Sequence, residues 1–137
     1  LETNSIDFVF SHATLEHIAF HDFIATQEQI HRILKPGGIV SHNIDLRDHL
    51  SGGLNNLRFS EQIWESDLMA KSGFYTNRIR YSEMLDIFKK IGFKVDATII
   101  QTWDKLPISR TKLSRKFRDL SDKDLCVSVF DVLLRPK

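Results

Sequence analysis

Hydrophobic positions along the chain predict strands and helices in alternation. Residues 6–10, Ile-Asp-Phe-Val-Phe, form a short and nearly continuous apolar run. This pattern is typical of a strand that helices bury on both faces in a parallel sheet. Apolar residues at helical spacing follow from Phe20 to Leu34, and Asp22 can serve as the N-cap of that helix.

The end of this helix and the start of the next strand are marked by residues 35–38, Lys-Pro-Gly-Gly. Proline cannot continue a helix, and the two glycines permit a tight turn. Residues 39–44, Ile-Val-Ser-His-Asn-Ile, predict a second strand. A strand, a helix and a strand in this order predict a right-handed parallel crossover.

The second half of the chain begins with a polar segment and then returns to regular elements. Residues 45–80 read as a loop in which Ser60 can cap a helix that runs to about Ser72. A helix is predicted over 81–91, closed by Gly92, and a third strand over 93–100. Residues 103–124 are polar, and 125–134 form a long last strand. The fold class is therefore α/β.

Composition narrows the functional classes. Across 137 residues, 19 Lys and Arg stand against 18 Asp and Glu, which favours neither a nucleic-acid binder nor a membrane-surface protein. No apolar stretch reaches the roughly 20 residues that span a bilayer. The single cysteine, Cys126, suits a reducing compartment. We expect a cytoplasmic protein without a membrane partner.

Two motifs in order resemble class I S-adenosylmethionine-dependent methyltransferases. Residues 6–18 resemble the fourth strand of that family, of the type D-x-V-x-S, followed by an L-E-H turn. Residues 33–38, Ile-Leu-Lys-Pro-Gly-Gly, resemble the helix end L-K-P-G-G that precedes the fifth strand. The helix, glycine turn and strand within 81–100 resemble the next family elements, and 125–134 resemble the antiparallel seventh strand. The resemblance covers nearly the whole chain.

The resemblance implies a partial Rossmann-like fold that contains strands four to seven. Residues 1–137 would form the C-terminal half of the domain, with an acceptor-side insertion at about 45–80. The N-terminal strands are missing, and with them the glycine-rich loop and the acidic residue that hold S-adenosylmethionine. We expect this polypeptide alone to bind the cofactor weakly or not at all. The edge of the Ile6 strand would be exposed in this chain alone. The N-terminal half of the domain or a second copy would then have to cover it.

Site residues follow from the same resemblance. Ser11, His12 and Ala13 end the first strand, where the family borders the methionine part of the cofactor. His12 is the first candidate for a general base, because imidazole exchanges protons near neutral pH; a packing or capping role is the alternative. His42, in the second strand, is a second catalytic candidate. His17 is more simply structural.

A metal site is the alternative use of the same region. His12, Glu16, His17 and His42 carry ligand types that suit divalent ions. Some methyltransferases carry an E-x-x-E-H metal site here, but Ala13 replaces the first glutamate in this chain. We therefore predict no metal.

The loop that leaves the second strand offers groups for an acceptor. Asp45, Arg47 and His49, with Asp48 between them, can hydrogen-bond a polyhydroxylated molecule, and the segment is similar to methyltransferases of bacterial surface-polysaccharide pathways. The alternative is a solvated loop whose charges pair with one another.

A basic run between Lys105 and Arg118 contains Phe117 and could contact RNA. Flanking aspartates offset its charge, so a solvated connector is the better interpretation and a nucleic-acid partner is not expected. The leading function is methyl transfer to an oxygen or nitrogen of a small or saccharide-like acceptor. The alternatives are a non-catalytic binding or interaction module and an RNA-directed methyltransferase.

Overall fold

A computed structural model describes residues 1–137. Single-turn 3-10 helices lie at Leu15–His17, Asn55–Arg58 and Arg110–Lys112. The strands and α-helices occur in the order β1 (Ile6–His12), α1 (Phe20–Ile33), β2 (Leu34–Asp45), α2 (Glu61–Trp64), α3 (Asp67–Ala70), α4 (Tyr81–Ile91), β3 (Phe93–Thr102), α5 (Arg115–Arg118), α6 (Asp122–Leu125) and β4 (Val127–Pro136).

The four strands form one sheet in the order β1-β2-β4-β3. β1 and β2 are parallel, with Val9 opposite Val40, as expected for a crossover through α1. β4 is antiparallel to both of its neighbours, β2 and β3. The predicted α/β class and the antiparallel last strand beside its predecessor are confirmed.

Most element boundaries agree with the sequence pattern, and a few differ. The backbone of Gly92 has a φ of 115°, the left-handed conformation that ends α4 as predicted. β2 begins at Leu34, earlier than expected, but its regular pairing with β1 starts at Ile39 after a bulge. β4 begins later, at Val127, because Leu125 still belongs to α6.

Two predicted helix features are wrong in detail. Asp22 is not the N-cap of α1, since Ala19 holds that position and Asp22 lies in the first turn, where its carboxylate still favours the helix dipole. The hydroxyl of Ser60 accepts a hydrogen bond from the Ile63 amide as predicted, but its helix ends at Trp64. Ser66 then caps a second short helix, α3, so two helices replace the expected one.

The two faces of the sheet are covered unequally. The buried core combines alternate residues of β2 and β4 with α1 and α4, including Val40, Val132, Phe23 and Phe88. The other face bears exposed or half-buried side chains and forms an open depression of about 580 Å³. A strand with one covered face alternates buried and exposed positions, and β2 does so from Val40 to Asp45.

The expectation that residues 6–10 are buried on both faces is wrong. β1 is the edge strand, and the side chains of Phe8 and Phe10 are 57% and 74% exposed. Their rings stack on each other with centroids 6.0 Å apart. Only Val9 of this run packs against the main core. The apolar run thus faces an uncovered side of the sheet in this chain.

A second, smaller core joins the 45–80 segment to the region before β4. Its buried members are Leu54, Leu57, Leu113, Phe117 and Leu125. The polar region 103–124 therefore contributes packing residues and is more than a solvated connection.

Arg80 links the carboxyl end of β2 to the start of β4. Its side chain is almost fully buried, at 1% exposure. The guanidinium donates to the carbonyl of Leu46 at 2.8 Å, of Leu125 at 3.0 Å and of Val127 at 2.7 Å. Burial lowers the pKa of Arg80 to about 10, so the group keeps its charge at neutral pH. One side chain thus satisfies three buried carbonyls from two separate segments.

We expect Arg80→Ala to lower the free energy of unfolding by about 3 kcal/mol or more, because buried carbonyls lose their donors. Urea unfolding followed by circular dichroism measures the loss. Arg135→Ala, at an exposed position of β4, is the control and is expected to stay within about 0.5 kcal/mol of the wild type. Equal losses in the two variants would contradict the structural role of Arg80.

Candidate active site at the carboxyl ends of β1 and β2

The chain turns sharply where β1 ends. Ala13 has a φ of 45°, a left-handed conformation that costs energy for a residue with a side chain. Its amide donates to the carbonyl of Asn43 on β2 at 3.0 Å, and the hydroxyl of Thr14 donates to the carbonyl of His12 at 2.9 Å. The side chain of His12 is exposed and borders the open depression. The turn therefore presents His12 and the backbone of Ala13 at the sheet edge where ligands of parallel sheets gather.

His42 lies on the covered face, away from His12. Its ring is 1% exposed and stacks on Phe88, with centroids 6.4 Å apart. The Nδ1 atom of His42 lies 2.7 Å from the hydroxyl oxygen of Ser11. Burial lowers the pKa of His42 to about 4, so the ring is neutral at physiological pH. The structure joins Ser11 to His42 and separates the two histidines proposed for catalysis.

The L-E-H turn is fastened by a residue from the far end of the 45–80 segment. The side-chain amide of Asn77 donates to the carbonyls of Leu15 and Ile18 at 2.8 and 3.0 Å. The backbone amide of Asn77 donates to the carbonyl of Glu16 at 2.7 Å. Asn77 carried no recognisable sequence signal, since an isolated asparagine in a polar segment is most simply a surface residue.

Glu16 is a buried carboxyl group inside this turn, at 2% exposure. Burial raises its pKa from 4.5 to about 7; backbone hydrogen bonding opposes the shift, and the negative charge of Asp45 adds to it. At neutral pH the group is therefore close to half protonated. In the sequence, Glu16 stood out only as part of the L-E-H motif and as an alternative metal ligand.

The three predicted acceptor-binding residues lie beside this turn. Arg47 forms a two-pronged ion pair with Asp45, from Nε to Oδ1 at 2.9 Å and from Nη2 to Oδ2 at 2.6 Å. Burial alone would raise the pKa of Asp45, but hydrogen bonds and the charge of Arg47 lower it. The ring of His49 lies 4.8 Å from that of His17, centroid to centroid. The structure thus brings Asp45, Arg47 and His49 together with the L-E-H turn.

Asp48 is committed to the shape of the loop. It is 2% exposed, and its Oδ1 accepts hydrogen bonds from the amides of Leu50 and Ser51 at 2.8 and 2.7 Å. Its Oδ2 accepts from the amide of Asn55. These bonds hold the turn that begins the 45–80 segment.

No three His, Cys, Asp or Glu side chains come together in a group that could hold a metal ion. Of the four candidate metal ligands, His12 and His17 are exposed, while Glu16 and His42 are buried. No helix has both the length and the apolar character needed to cross a membrane.

The basic run is partly used inside the protein. Arg110 donates to the carbonyl of Leu120 at 2.8 Å and pairs with Asp122. Arg118 donates to the carbonyl of Leu113 at 2.7 Å. Lys116 pairs with Glu61 at 3.1 Å. These contacts hold several basic side chains of the run within the protein.

A parallel crossover, an antiparallel last strand between its neighbours and a sharp turn after β1 form part of a Rossmann-like methyltransferase fold. A family model described as "Methyltransferase domain" matches residues 1–41. A sequence comparison with curated proteins finds no match. The predicted resemblance to S-adenosylmethionine-dependent methyltransferases is confirmed by this match and by the fold.

Solved structures share the fold at low sequence identity. A methyltransferase of Mesorhizobium loti that depends on S-adenosylmethionine is 15% identical, with a TM-score of 0.57 over 98% of this chain and 63% of its own. The phosphoethanolamine N-methyltransferase 2 of Haemonchus contortus, bound to phosphomonomethylethanolamine and S-adenosylhomocysteine, is 20% identical, with a TM-score of 0.53 over 100% of this chain and 35% of its own.

A third match is the complex of the Haloferax volcanii Trm112 methyltransferase activator with a methyltransferase. It is 19% identical, with a TM-score of 0.55 over 99% of this chain and 56% of the matched chain. The chain thus spans less than two thirds of the length of these three structures. The likeness establishes the fold and leaves the acceptor open.

Glu16 should make stability depend on pH. Its pKa rises from 4.5 to about 7 on folding, so the folded state favours the protonated carboxyl. The stabilisation is complete below pH 4.5 and is lost as the pH rises toward 7. Glutamine cannot ionise. We therefore expect the free energy of unfolding of Glu16→Gln to rise by about 2–3 kcal/mol relative to that of the wild type between pH 4.5 and 7. Urea unfolding at a series of pH values measures the difference.

His42 provides the matched control, because its contribution to the free energy of unfolding changes with pH in the opposite direction. Its pKa falls from 6.5 to about 4 on folding, so its stabilisation is present above pH 6.5 and is lost as the pH falls toward 4. A His42→Asn variant should therefore lose stability relative to the wild type as the pH rises. If the free energies of unfolding of the wild type and Glu16→Gln change with pH in parallel, Glu16 does not titrate in this range.

Proposed function

We propose that the protein containing this chain transfers a methyl group from S-adenosylmethionine to an oxygen or nitrogen of a small or saccharide-like acceptor. The observation that carries this proposal is the left-handed turn at Ala13. It places an exposed imidazole, that of His12, at the carboxyl edge of β1 in a methyltransferase fold. The acceptor loop with Asp45, Arg47 and His49 lies at the same edge of the sheet.

Part of a cofactor site is present in this chain. His12 and Ala13 are exposed and Ser11 is half-buried at the end of β1, and we assign this stretch to contact with the methionine part of S-adenosylmethionine. The cofactor supplies an electrophilic methyl group on a sulfonium. The groups that would hold its ribose and adenine are not among these 137 residues, which contain no glycine-rich loop after a first strand. The residues present therefore fit only the methionine end of S-adenosylmethionine.

His12 is the side chain that we assign to proton removal. Its ring is exposed at the strand end, and imidazole works as a general base near neutral pH. His42 is assigned to positioning: buried and neutral, it holds the hydroxyl of Ser11 and so fixes the strand just before the turn. Methyl transfer otherwise needs mainly alignment of donor and acceptor, which the rigid turn supports.

Acceptor recognition falls to the loop after β2. The guanidinium of Arg47 is partly exposed beside its Asp45 partner, and the ring of His49 is close to that of His17. These groups suit hydroxyl or amine acceptors, which both donate and accept hydrogen bonds. The likeness to a phosphoethanolamine N-methyltransferase supports nitrogen as one possible acceptor atom.

A second candidate is a non-catalytic interaction module. The stacked rings of Phe8 and Phe10 on the edge strand favour it, because an open edge with exposed aromatic rings calls for a covering chain. In the first proposal the N-terminal half of the domain covers this surface. In the second, another copy or another protein does so without chemistry.

The test uses the complete protein, labelled S-adenosylmethionine and a panel of hydroxylated and amine acceptors. We expect His12→Ala to lower kcat at least about 100-fold, because proton removal is lost. Calorimetry should show unchanged cofactor affinity. His21→Ala, an exposed histidine on α1, is the matched control and should keep the wild-type kcat. An unchanged kcat in His12→Ala contradicts the assignment, and a wild type inert toward every acceptor favours the second candidate.

Arg47 should affect acceptor binding more than chemistry. We expect Arg47→Ala to raise the acceptor KM about 10-fold with little change in kcat, since a hydrogen bond to a charged group contributes about 1.5–3 kcal/mol. Steady-state kinetics with the best acceptor of the panel measures this. Arg58→Ala, at an exposed position in the same segment, is the control. If both variants leave KM unchanged, the loop is a self-paired surface loop.

A further inference from the structure

A small and partly open cavity lies where the L-E-H turn meets the 45–80 segment. The space open to the centre of a water molecule is about 10 Å³. That volume holds about one water molecule. Its walls include Glu16 from the turn, Asn56 from a 3-10 helix, and Arg78 and Arg80 from the stretch before α4.

Each of these four side chains carries one buried polar atom without a hydrogen-bond partner in the protein. The atoms are Oε2 of Glu16, Oδ1 of Asn56, Nε of Arg78 and Nε of Arg80. They make up half of the eight such atoms in the chain. Buried polar atoms without partners are rare and costly, so four in the walls of one cavity require an explanation.

The other polar atoms of Asn56, Arg78 and Arg80 are already held by the protein, and Glu16 is confined by burial at 2% exposure. Nδ2 of Asn56 donates to the hydroxyl of Thr76 at 3.0 Å. Nη1 of Arg78 donates to the carbonyl of Phe59 at 2.8 Å, and both terminal nitrogens of Arg80 bind backbone carbonyls. These bonds fix Asn56, Arg78 and Arg80, so their three remaining polar atoms stay buried beside Oε2 of Glu16.

The four atoms match the hydrogen-bonding capacity of one water molecule. Oε2 of an ionised Glu16 and Oδ1 of Asn56 accept, while the two Nε–H groups donate. A water molecule donates two hydrogen bonds and accepts two. A cation would meet two guanidinium groups here, and an anion would meet a carboxylate and an amide oxygen, so a neutral molecule that donates and accepts is favoured.

We propose that this cavity binds one ordered water molecule, which bridges Glu16 and Asn56 to Arg78 and Arg80. The bound water fastens the turn after β1 to the 45–80 segment and complements the hydrogen bonds of Asn77 at the same turn. This inference is independent of the proposed catalytic activity, because it concerns only contacts inside the folded chain.

The proposal is tested first on the wild-type protein. A high-resolution crystal structure should show a density peak within hydrogen-bond distance of the four atoms. In solution, NMR should show cross-relaxation between a long-lived water and the Hε protons of Arg78 and Arg80. An empty cavity without this signal, or a direct bond from either Nε to Glu16, overturns the proposal.

Variants at adjacent asparagines add a matched comparison. Asn56→Leu removes one acceptor from the cavity, and we expect loss of the water signal at the Hε protons. Asn55→Leu, whose amide instead contacts the hydroxyl of Ser51, should retain the signal. Loss in both variants, or retention in both, contradicts the assigned site. If Asn56→Leu does not fold, the wild-type measurements decide alone.

Discussion

The buried guanidinium of Arg80 is the constraint on which the arrangement of this chain depends. It binds the carbonyl of Leu46 at the end of β2 and those of Leu125 and Val127 at the start of β4. The nearby carboxylate of Asp124 offsets its charge and also accepts a hydrogen bond from the amide of Ser82 at the start of α4. The acceptor loop therefore leaves the sheet from a point that a buried cation holds in place, and this point lies next to the candidate site.

Strand periodicity explains why the two histidines of the candidate site lie in opposite environments, His12 exposed and His42 buried. In β2, His42 shares a face with Val40 and Ile44, which α1 and α4 bury. In β1, Ser11 lies opposite His42 and His12 lies opposite Asn43, so successive residues point to opposite sides of the sheet. The helices cover only one side. The lowered pKa of His42 follows from this alternation and from which face is covered.

The sequence was sufficient to predict most of the fold, because its signals are local. Pro36, Gly92 and the apolar spacing of α4 mark their elements without knowledge of the tertiary structure. Burial in the site was less predictable, since it depends on distant partners. Arg80 resembles any surface arginine in the sequence. Its burial is matched by three carbonyls that lie 34, 45 and 47 residues away, in two segments. The same limit applied to Phe8 and Phe10, whose exposure follows from the position of β1 at the edge of the sheet and from the uncovered face of that sheet.

The pKa of Glu16 is raised although Arg78 and Arg80 lie nearby, because both arginines bind other acceptors. A carboxyl next to a free guanidinium normally ionises more easily. Here Arg80 directs its terminal nitrogens at backbone carbonyls, and Arg78 directs its own at the carbonyl of Phe59 and the carboxylate of Glu61. The effect of burial on the pKa of Glu16 is then opposed by backbone hydrogen bonds and not by a positive charge, and the negative charge of Asp45 raises the pKa further. The same bonds that hold the 45–80 segment thus leave a proton-binding carboxyl within the turn that presents His12.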